Sequence, residues 1–415
     1  MPGKVVLKLF PGVLRCLKLP EIVIAVTGSN GKTSTAELIV HVLKASGKTV
    51  AWNFEGSNQT EGVATLLLRS TSLGGKVLQD AVVMECDERY AKKIFENVQP
   101  TVLLITNLCR DQLTRNGHHE FIEDCLRAAV GTAGNDVQLV LNADDPYVSS
   151  LALDIKTNVL YFGICSYADK TQSTGVYDDG AFCPVCKARM TYSHRIVGHF
   201  GSYNCDYCGL KRNEPDVEAS LQEDDALVFG EGLSMQMKQP GITGAYNFCS
   251  AVAVAKAVGI NISGAVSALD GYELTGGRTV SLSLGERRGQ LLISKHENSL
   301  AYNNSLYRIV EQKKPCTVVV LVDSISRKYY TSETSWLWDI DFDLLADDCV
   351  KNIVLAGRYE NELATRFVMS AVPEEKIGHV NDLSGLRRYI YENTTGDIYA
   401  VTCFSDKAKI LDILS

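Results

Sequence analysis

The run TGSNGKTS, Thr27 to Ser34, gathers two glycines, a lysine and several hydroxyls into one short loop. Glycine-rich backbone at a helix N-terminus offers N–H groups that wrap phosphate oxygens. In such a loop Lys32 meets the terminal phosphates and the Thr33 hydroxyl holds a divalent cation. The strict G-x-x-x-x-G-K-[ST] pattern is not met, because Val26 stands where its first glycine belongs. A second constellation is Cys183-x2-Cys186 and Cys205-x2-Cys208, with eighteen residues between the pairs. Four thiolates at that spacing fill the tetrahedral shell of one structural zinc and leave no open coordination position for catalysis. Gly209 follows Cys208 and lets the second knuckle turn tightly. A third feature is SWLWDIDF, Ser335 to Phe342, with two Trp within three residues beside two Asp.

The elements that must carry these residues are legible in the apolar pattern. EIVIAV (21–26) reads as a strand running into TGSNGKTS, and TAELIVHVLKASG as the helix behind it, ending at Gly47. KTVAWN, DAVVMECDE, PTVLLITNLCRDQL and VQLVLNADDP read as further strands, with helical stretches such as HHEFIEDCLRAAVG between them. Strands alternating with helices predict a doubly wound, mostly parallel α/β sheet, with ligands at the polar strand ends. The rhythm breaks near Cys165, where the four-Cys segment begins, followed by the acidic stretch RNEPDVEASLQEDDA. LTGGRTVSL marks a boundary. Beyond it TVVVLVDS, KNIVLAG and GDIYAVTC alternate with helical segments such as LSGLRRYIYEN, as in a smaller α/β domain. The expected organisation is a central domain over 1–281, with a zinc ribbon inserted at about 165–225, and a C-terminal domain over 282–415.

Bulk properties narrow the class. A chain of 415 residues implies two or three domains. Its 46% hydrophobic and 22% charged content is that of a soluble globular protein. A net charge of −8 and the lack of a basic run argue against nucleic acid as partner, including for the ribbon. Thirteen scattered cysteines, an odd number, fit a reducing compartment with a few recruited for metal. The N-terminal stretch MPGKVVLKLFPGVLRCLKLP is interrupted by Pro11 and Lys18 and has no small-residue cleavage site, so it reads as a domain edge. No apolar run reaches the ~18 residues of a membrane span, so any dealings with a membrane are at its surface.

The form TG-[ST]-N-GKT resembles the Mur ligase and folylpolyglutamate synthase superfamily, ATP-dependent ligases that activate a carboxylate as an acyl phosphate and attach an amine. The resemblance implies ATP binding by Thr27, Gly28, Asn30, Gly31, Lys32, Thr33 and Ser34. It implies magnesium at Thr33 and Glu85, with Lys32 also catalytic. TNLCRDQL, with Asn107 and Asp111, and LNADDP fall in the family's order. Asn247 in GAYNFCSAVAVAKAVG matches the adenine-side helix, and Arg278 in GGRTV an ATP-contacting arginine.

The four-Cys insertion and SWLWDIDF are similar to one branch of that superfamily, the synthetase subunits of lipid II isoglutaminyl synthases. That resemblance implies a heterodimer with a GatD-type glutaminase, working in the cytoplasm at the inner face of the membrane on lipid II. Asp339 would complete the glutaminase triad in trans, with Asp341 the second choice, farther along the same face of an extended segment. Ammonia from glutamine would then amidate the α-carboxyl of D-isoglutamate in the stem peptide. Several positions depart from the branch: VDSISRKYYTSETSW keeps only Asp323, Val280 and Ser250 replace an acidic residue and an Asn, and KHENSLAYNN keeps Lys295 and a late Asn. Two alternatives therefore stand beside this reading: a self-sufficient Mur or folylpolyglutamate synthase-type amino-acid ligase, and a degenerate, non-catalytic scaffold for a glutaminase.

Overall fold

The structure is a computed structural model that describes residues 2–54, 56–153, 155–167, 176–275, 279–295, 297–325 and 333–414. By internal contacts the chain divides into one compact unit of Met1–Cys109, His118–Thr174 and Asp178–Thr275, and a second of Arg110–Gly117, Gly175–Tyr177 and Gly276–Ser415.

The first unit is built on a nine-stranded sheet. Its first six strands are β1 (Ile22–Thr27), β2 (Val50–Trp52), β3 (Ala81–Glu85), β4 (Val102–Ile105), β5 (Gln138–Asn142) and β6 (Val159–Tyr167). A separate hairpin, β7 (Thr191–Val197) with β8 (Phe200–Asn204), comes next, and β9 (Val217–Leu221), β10 (Ala226–Phe229) and β11 (Leu233–Gln236) then rejoin the sheet. The spatial order is β11-β10-β9-β6-β5-β4-β1-β3-β2. Pairing is parallel from β2 through β9, and β10 and β11 add an antiparallel edge.

β1 is buried from Val23 to Thr27, as expected of an apolar run covered on both faces. The chain moves from β1 to β2 and β3 on one side and then crosses to β4 on the other. That reversal leaves a crevice at the C-terminal end of β1, the place where open α/β sheets take ligands. Helix α2 (Lys32–Ala45) starts there.

Two expectations for the first unit need correction. The inserted ribbon is narrower than 165–225, because Val217–Leu221 is a strand of the main sheet that pairs with β6. The hydrophobic alternation of VEASL is hidden among acidic neighbours, which made the segment read as part of the insertion. The N-terminal stretch, expected only as a domain edge, folds as helix α1 (Pro2–Leu9) against α3 (Thr60–Arg69). The contact is close at Gly3, whose N–H donates to Thr65 Oγ1 at 3.0 Å and where a Cβ would sit 2.3 Å from the Glu61 carbonyl oxygen.

The second unit has a six-stranded sheet of β12 (Thr279–Leu284), β13 (Arg287–Ser294), β14 (Cys316–Leu321), β15 (Val350–Ala356), β16 (Ile377–Val380) and β17 (Asp397–Cys403). Its order is β12-β13-β17-β14-β15-β16, parallel except for the β12–β13 hairpin. Apolar clusters cover both faces. The segment around Asp339, expected to be extended, is instead two successive 3-10 turns, Ser335–Asp339 and Phe342–Ala346. Trp336, Leu337, Ile340 and Phe342 are all buried in one cluster. Strict alternation cannot bury the adjacent pair 336 and 337 on one side, whereas a tight helical turn can.

One buried charge pair ties the ribbon's exit to the first sheet. Asp144 is wholly buried and accepts from Arg212 Nε at 2.6 Å, from Tyr246 OH at 2.8 Å and from the Ile164 N–H at 2.7 Å. Arg212→Ala strands that carboxylate. We expect a loss of about 3–5 kcal/mol in the urea unfolding of the first unit, and an unchanged midpoint would contradict this packing.

Candidate functional site

The loop 28–31 leaves β1 with two glycines in left-handed backbone, Gly28 at φ +122° and Gly31 at φ +82°. Neither has room for a side chain. A Cβ on Gly28 would lie 2.3 Å from Thr106 Oγ1, and one on Gly31 2.2 Å from Asn247 Oδ1. Helix α2 begins at the crevice with no side-chain cap, and the first N–H groups of an α-helix have no intrahelical carbonyl to bond. The Thr27 hydroxyl is buried and has no hydrogen-bond partner among the described residues. An uncapped helix N-terminus, an orphaned hydroxyl and a buried lysine are a donor set that fits a polyphosphate.

Lys32 is buried, and its Nζ lies 2.6 Å from Glu88 Oε1 while also donating to the Gly28 carbonyl oxygen. Glu88 opens helix α4 (Glu88–Phe95) immediately after the β3 end. Sequence reasoning did not single it out, although the acidic run ECDE was the available signal. The Thr33 hydroxyl, exposed at the mouth, donates to Glu85 Oε2 at 2.7 Å, and Asn58 Nδ2 donates to Glu85 Oε1 at 3.0 Å. Asn53 fixes Glu85 from behind through both backbone groups, at 2.8 and 2.9 Å. A hydroxyl and a carboxylate converging beside the phosphate loop are oxygen ligands of the kind Mg²⁺ takes. Ser34 follows on α2, half-buried.

A second layer clamps the loop. Asn107 Oδ1 accepts from the Asn30 N–H at 2.9 Å, and its Nδ2 donates to the Asn30 carbonyl at 3.1 Å. The Ser29 N–H donates to the Asn107 carbonyl at 2.8 Å, and Ser29 Oγ is bridged to the Cys109 backbone. The next residue, Leu108, donates its N–H to Asp145 Oδ2 at 2.7 Å. Asn247, in the helix Ile242–Ala257, sits against Gly31, accepts from Thr35 Oγ1 at 3.4 Å and donates to Gln239 Oε1 at 3.2 Å. Ser250 bonds back to the Asn247 carbonyl at 2.9 Å and packs beneath α2. Arg278 lies outside the described residues.

The four cysteines converge: their sulfurs all lie within 4.8 Å of one another, with Cys183 to Cys208 at 3.6 Å and Cys186 to Cys205 at 3.4 Å. The edge of a tetrahedron with metal–sulfur bonds of ~2.3 Å is about 3.8 Å, so the cage fits zinc. Both knuckles make the same turn. Gly209 takes it at φ +78° and Lys187, in the equivalent place after Cys186, at φ +61°. Backbone N–H groups from Cys208 and Tyr207 bring the Cys205 thiol down to about 7, while burial pushes the Cys183 thiol up to about 12. The hairpin above the cage docks on the loop after β5. The Gly201 N–H donates to the Asp144 carbonyl at 2.9 Å, His199 Nε2 stands 3.5 Å from Asp145 Oδ1, and Tyr147 OH donates to the Asp179 carbonyl at 2.6 Å.

In the second unit Trp336 is 2% exposed and Trp338 42%, so one indole is core and the other is surface. Asp339 is half-buried. Asp341 is buried, and its N–H donates to Asn303 Oδ1 at 2.8 Å. Arg366, also buried, donates to the Ile340 carbonyl at 2.9 Å and stacks its guanidinium 5.6 Å from the Trp338 ring centre. It anchors the turn that presents Asp339, and nothing in the local sequence pointed to it. Asp111 accepts from Asn298 Nδ2 at 2.8 Å with Lys295 Nζ at 3.6 Å. Asp323 pairs with Lys409, which also reaches Asp406 Oδ1 at 3.1 Å. Asn107 and Asp111, neighbours in one sequence motif, thus serve different units.

Comparison with known proteins agrees with this geometry. Residues 26–209 match the Mur ligase middle domain, and residues 296–406 match the MurT ligase C-terminal region. The MurT subunit of the Streptococcus pneumoniae lipid II isoglutaminyl synthase (glutamine-hydrolysing) is 28% identical, covering 100% of this chain and 92% of that protein. Its Staphylococcus aureus counterpart is 26% identical, covering 90% of this chain and 83% of that protein. Among solved structures, a pseudomurein peptide ligase type C from Methanothermus fervidus superposes with a TM-score of 0.74 at 21% identity, over 97% of this chain and 79% of that one. MurF from Thermotoga maritima, solved in complex with ADP, gives 0.64 at 14% identity, over 100% and 82%. In succession the chain thus matches a Mur ligase middle domain and a MurT-type C-terminal region, and it is similar to curated MurT subunits along its whole length.

Proposed function

We propose that this chain is the synthetase subunit of a glutamine-dependent lipid II isoglutaminyl synthase. The observation that carries the reading is the uncapped start of α2 at Lys32, with Thr33 set against Glu85, in a chain similar to MurT subunits from end to end. The central region, 1–281, does the ATP chemistry, and the C-terminal region, 282–415, meets a GatD-type glutaminase.

ATP binds with its terminal phosphates over Gly28, Gly31 and the first turn of α2. Lys32 exchanges Glu88 for phosphate oxygen and stabilises the charge that develops on the transferred group. Thr33 and Glu85 hold Mg²⁺, which supplies charge neutralisation on the phosphates. The α-carboxylate of D-isoglutamate in the lipid II stem peptide takes the terminal phosphoryl group, and ADP leaves. Ammonia then attacks the acyl carbon, phosphate leaves with the bonding pair, and D-isoglutamine remains. Ammonia comes from glutamine in the partner, where Asp339 orients the nucleophile-activating His and stabilises its imidazolium. The four cysteines hold zinc in a structural role. The work is done in the cytoplasm at the inner face of the membrane. A self-sufficient amino-acid ligase would have no use for a surface Trp–Asp turn.

Lys32→Ala should lower amidation by roughly 10²–10³-fold while the complex still hydrolyses glutamine. Amidation at the normal rate would refute the nucleotide site. Asp339→Asn should reduce glutamine hydrolysis by about 10⁴-fold and spare amidation fed with ammonium, with Asp341→Asn far milder. Loss only in Asp341→Asn would reassign the carboxylate. Elemental analysis should find one zinc per chain, released as falling pH protonates the thiolates. Cys208→Ser should lose the metal without unfolding the phosphate-loop domain, and metal-free protein at neutral pH would refute the cage.

A further inference from the structure

The N-terminal segment is chemically unlike the rest of the molecule. Lys4, Lys8, Arg15 and Lys18 precede the first acidic residue, Glu21, in a chain whose net charge is −8. Helix α1 turns Gly3 inward against α3 and rests Leu7 on the core of the first unit. Its other side is open: Val5 is 59% exposed, Leu9 66% and Phe10 64%. Val5 and Leu9 are one helical turn apart, and so are Lys4 and Lys8, so an apolar ridge runs beside a basic one. The chain continues to Lys18, whose N–H donates to the Gly75 carbonyl at 2.8 Å and whose carbonyl accepts from Val77. That pairing sets Lys76 beside Lys18, on a turn whose Leu73 projects fully into solvent.

We infer that this face, α1 with Phe10 and the adjoining turn at Leu73, docks on an anionic phospholipid bilayer. Exposed aliphatic and aromatic side chains alternating with lysines are what the headgroup–acyl boundary binds, through buried apolar area and attraction to anionic lipid. Lysine is depleted from protein–protein interface cores, which argues against a protein occupant for a ridge built this way. An eight-residue helix lies on a membrane rather than across it, and no helix among the described residues is long and apolar enough to span one. The inference deepens the proposed function, since it would hold the synthetase where a lipid-linked substrate resides.

The test is vesicle co-sedimentation of the full chain, alone and with its glutaminase subunit. Vesicles of equal parts phosphatidylglycerol and phosphatidylcholine are compared with phosphatidylcholine alone. Wild type should bind the anionic vesicles and release at high salt. The pairs Lys4→Glu with Lys8→Glu, and Leu9→Asp with Phe10→Asp, should each weaken binding by about tenfold or more, with unchanged melting of the protein. The same variants should lose amidation of substrate embedded in vesicles and keep it on a water-soluble short-chain form. Absence of wild-type binding, or variants that bind vesicles as well as wild type, would overturn the inference. So would variants that release the glutaminase subunit yet keep the vesicle, because the face would then be a protein interface. Vesicle binding without amidation of either substrate would support this inference while overturning the proposed reaction.

Discussion

A lysine ammonium buried at the end of a central strand is the constraint around which the first unit is arranged. Lys32 is 6% exposed, and a charge so placed is tolerated only with a close counter-charge and hydrogen bonds. Glu88 and the Gly28 carbonyl supply them, and they do so from two different elements that β1 and β3 hold side by side. The same pairing of β1 with β3 sets Glu85 against Thr33. The parallel register of these two strands therefore places Glu88 beside Lys32 and Glu85 beside Thr33.

The ribbon acquires a physical meaning from its contacts. Its hairpin bears on Asp144 and Asp145, and Asp145 holds the Leu108 N–H while also capping the helix Pro146–Ser150. Leu108 follows Asn107, the residue that clamps Asn30 from both sides. The hairpin thus docks on the loop after β5, and that loop in turn holds the segment that clamps Asn30. The insertion that carries the four cysteines therefore bears on the segment that clamps the loop.

Much of this was legible in the residues. The apolar runs at β1, β3, β4 and β5 and the glycine loop after β1 carry a pattern that only a parallel sheet explains, and the cysteine spacing announces its own geometry. What was not legible depends on neighbours distant in sequence. Glu88 is one acid among several until β3 sets it beside Lys32. Arg212 and His199 gain their roles from the docking of the hairpin. VEASL was assigned to the insertion because a five-residue strand among acidic neighbours has little apolar content of its own. The turn at Asp339 was misread because its aromatic residues suggest a strand, whereas the need to bury Trp336 and Leu337 together bends it into 3-10 geometry. Lys187 adopts a glycine-like φ because the knuckle imposes it.

The central claim is that the phosphate loop drives amidation through an acyl phosphate. It is tested most directly by labelling both oxygens of the substrate α-carboxyl with heavy oxygen and running the complex with ATP, Mg²⁺ and ammonium. If the carboxylate attacks the terminal phosphorus, one labelled oxygen leaves with the inorganic phosphate in every turnover, and the amide retains the other. Labelled phosphate in step with amide formation is the result this account predicts. Unlabelled phosphate alongside amidated product would contradict it.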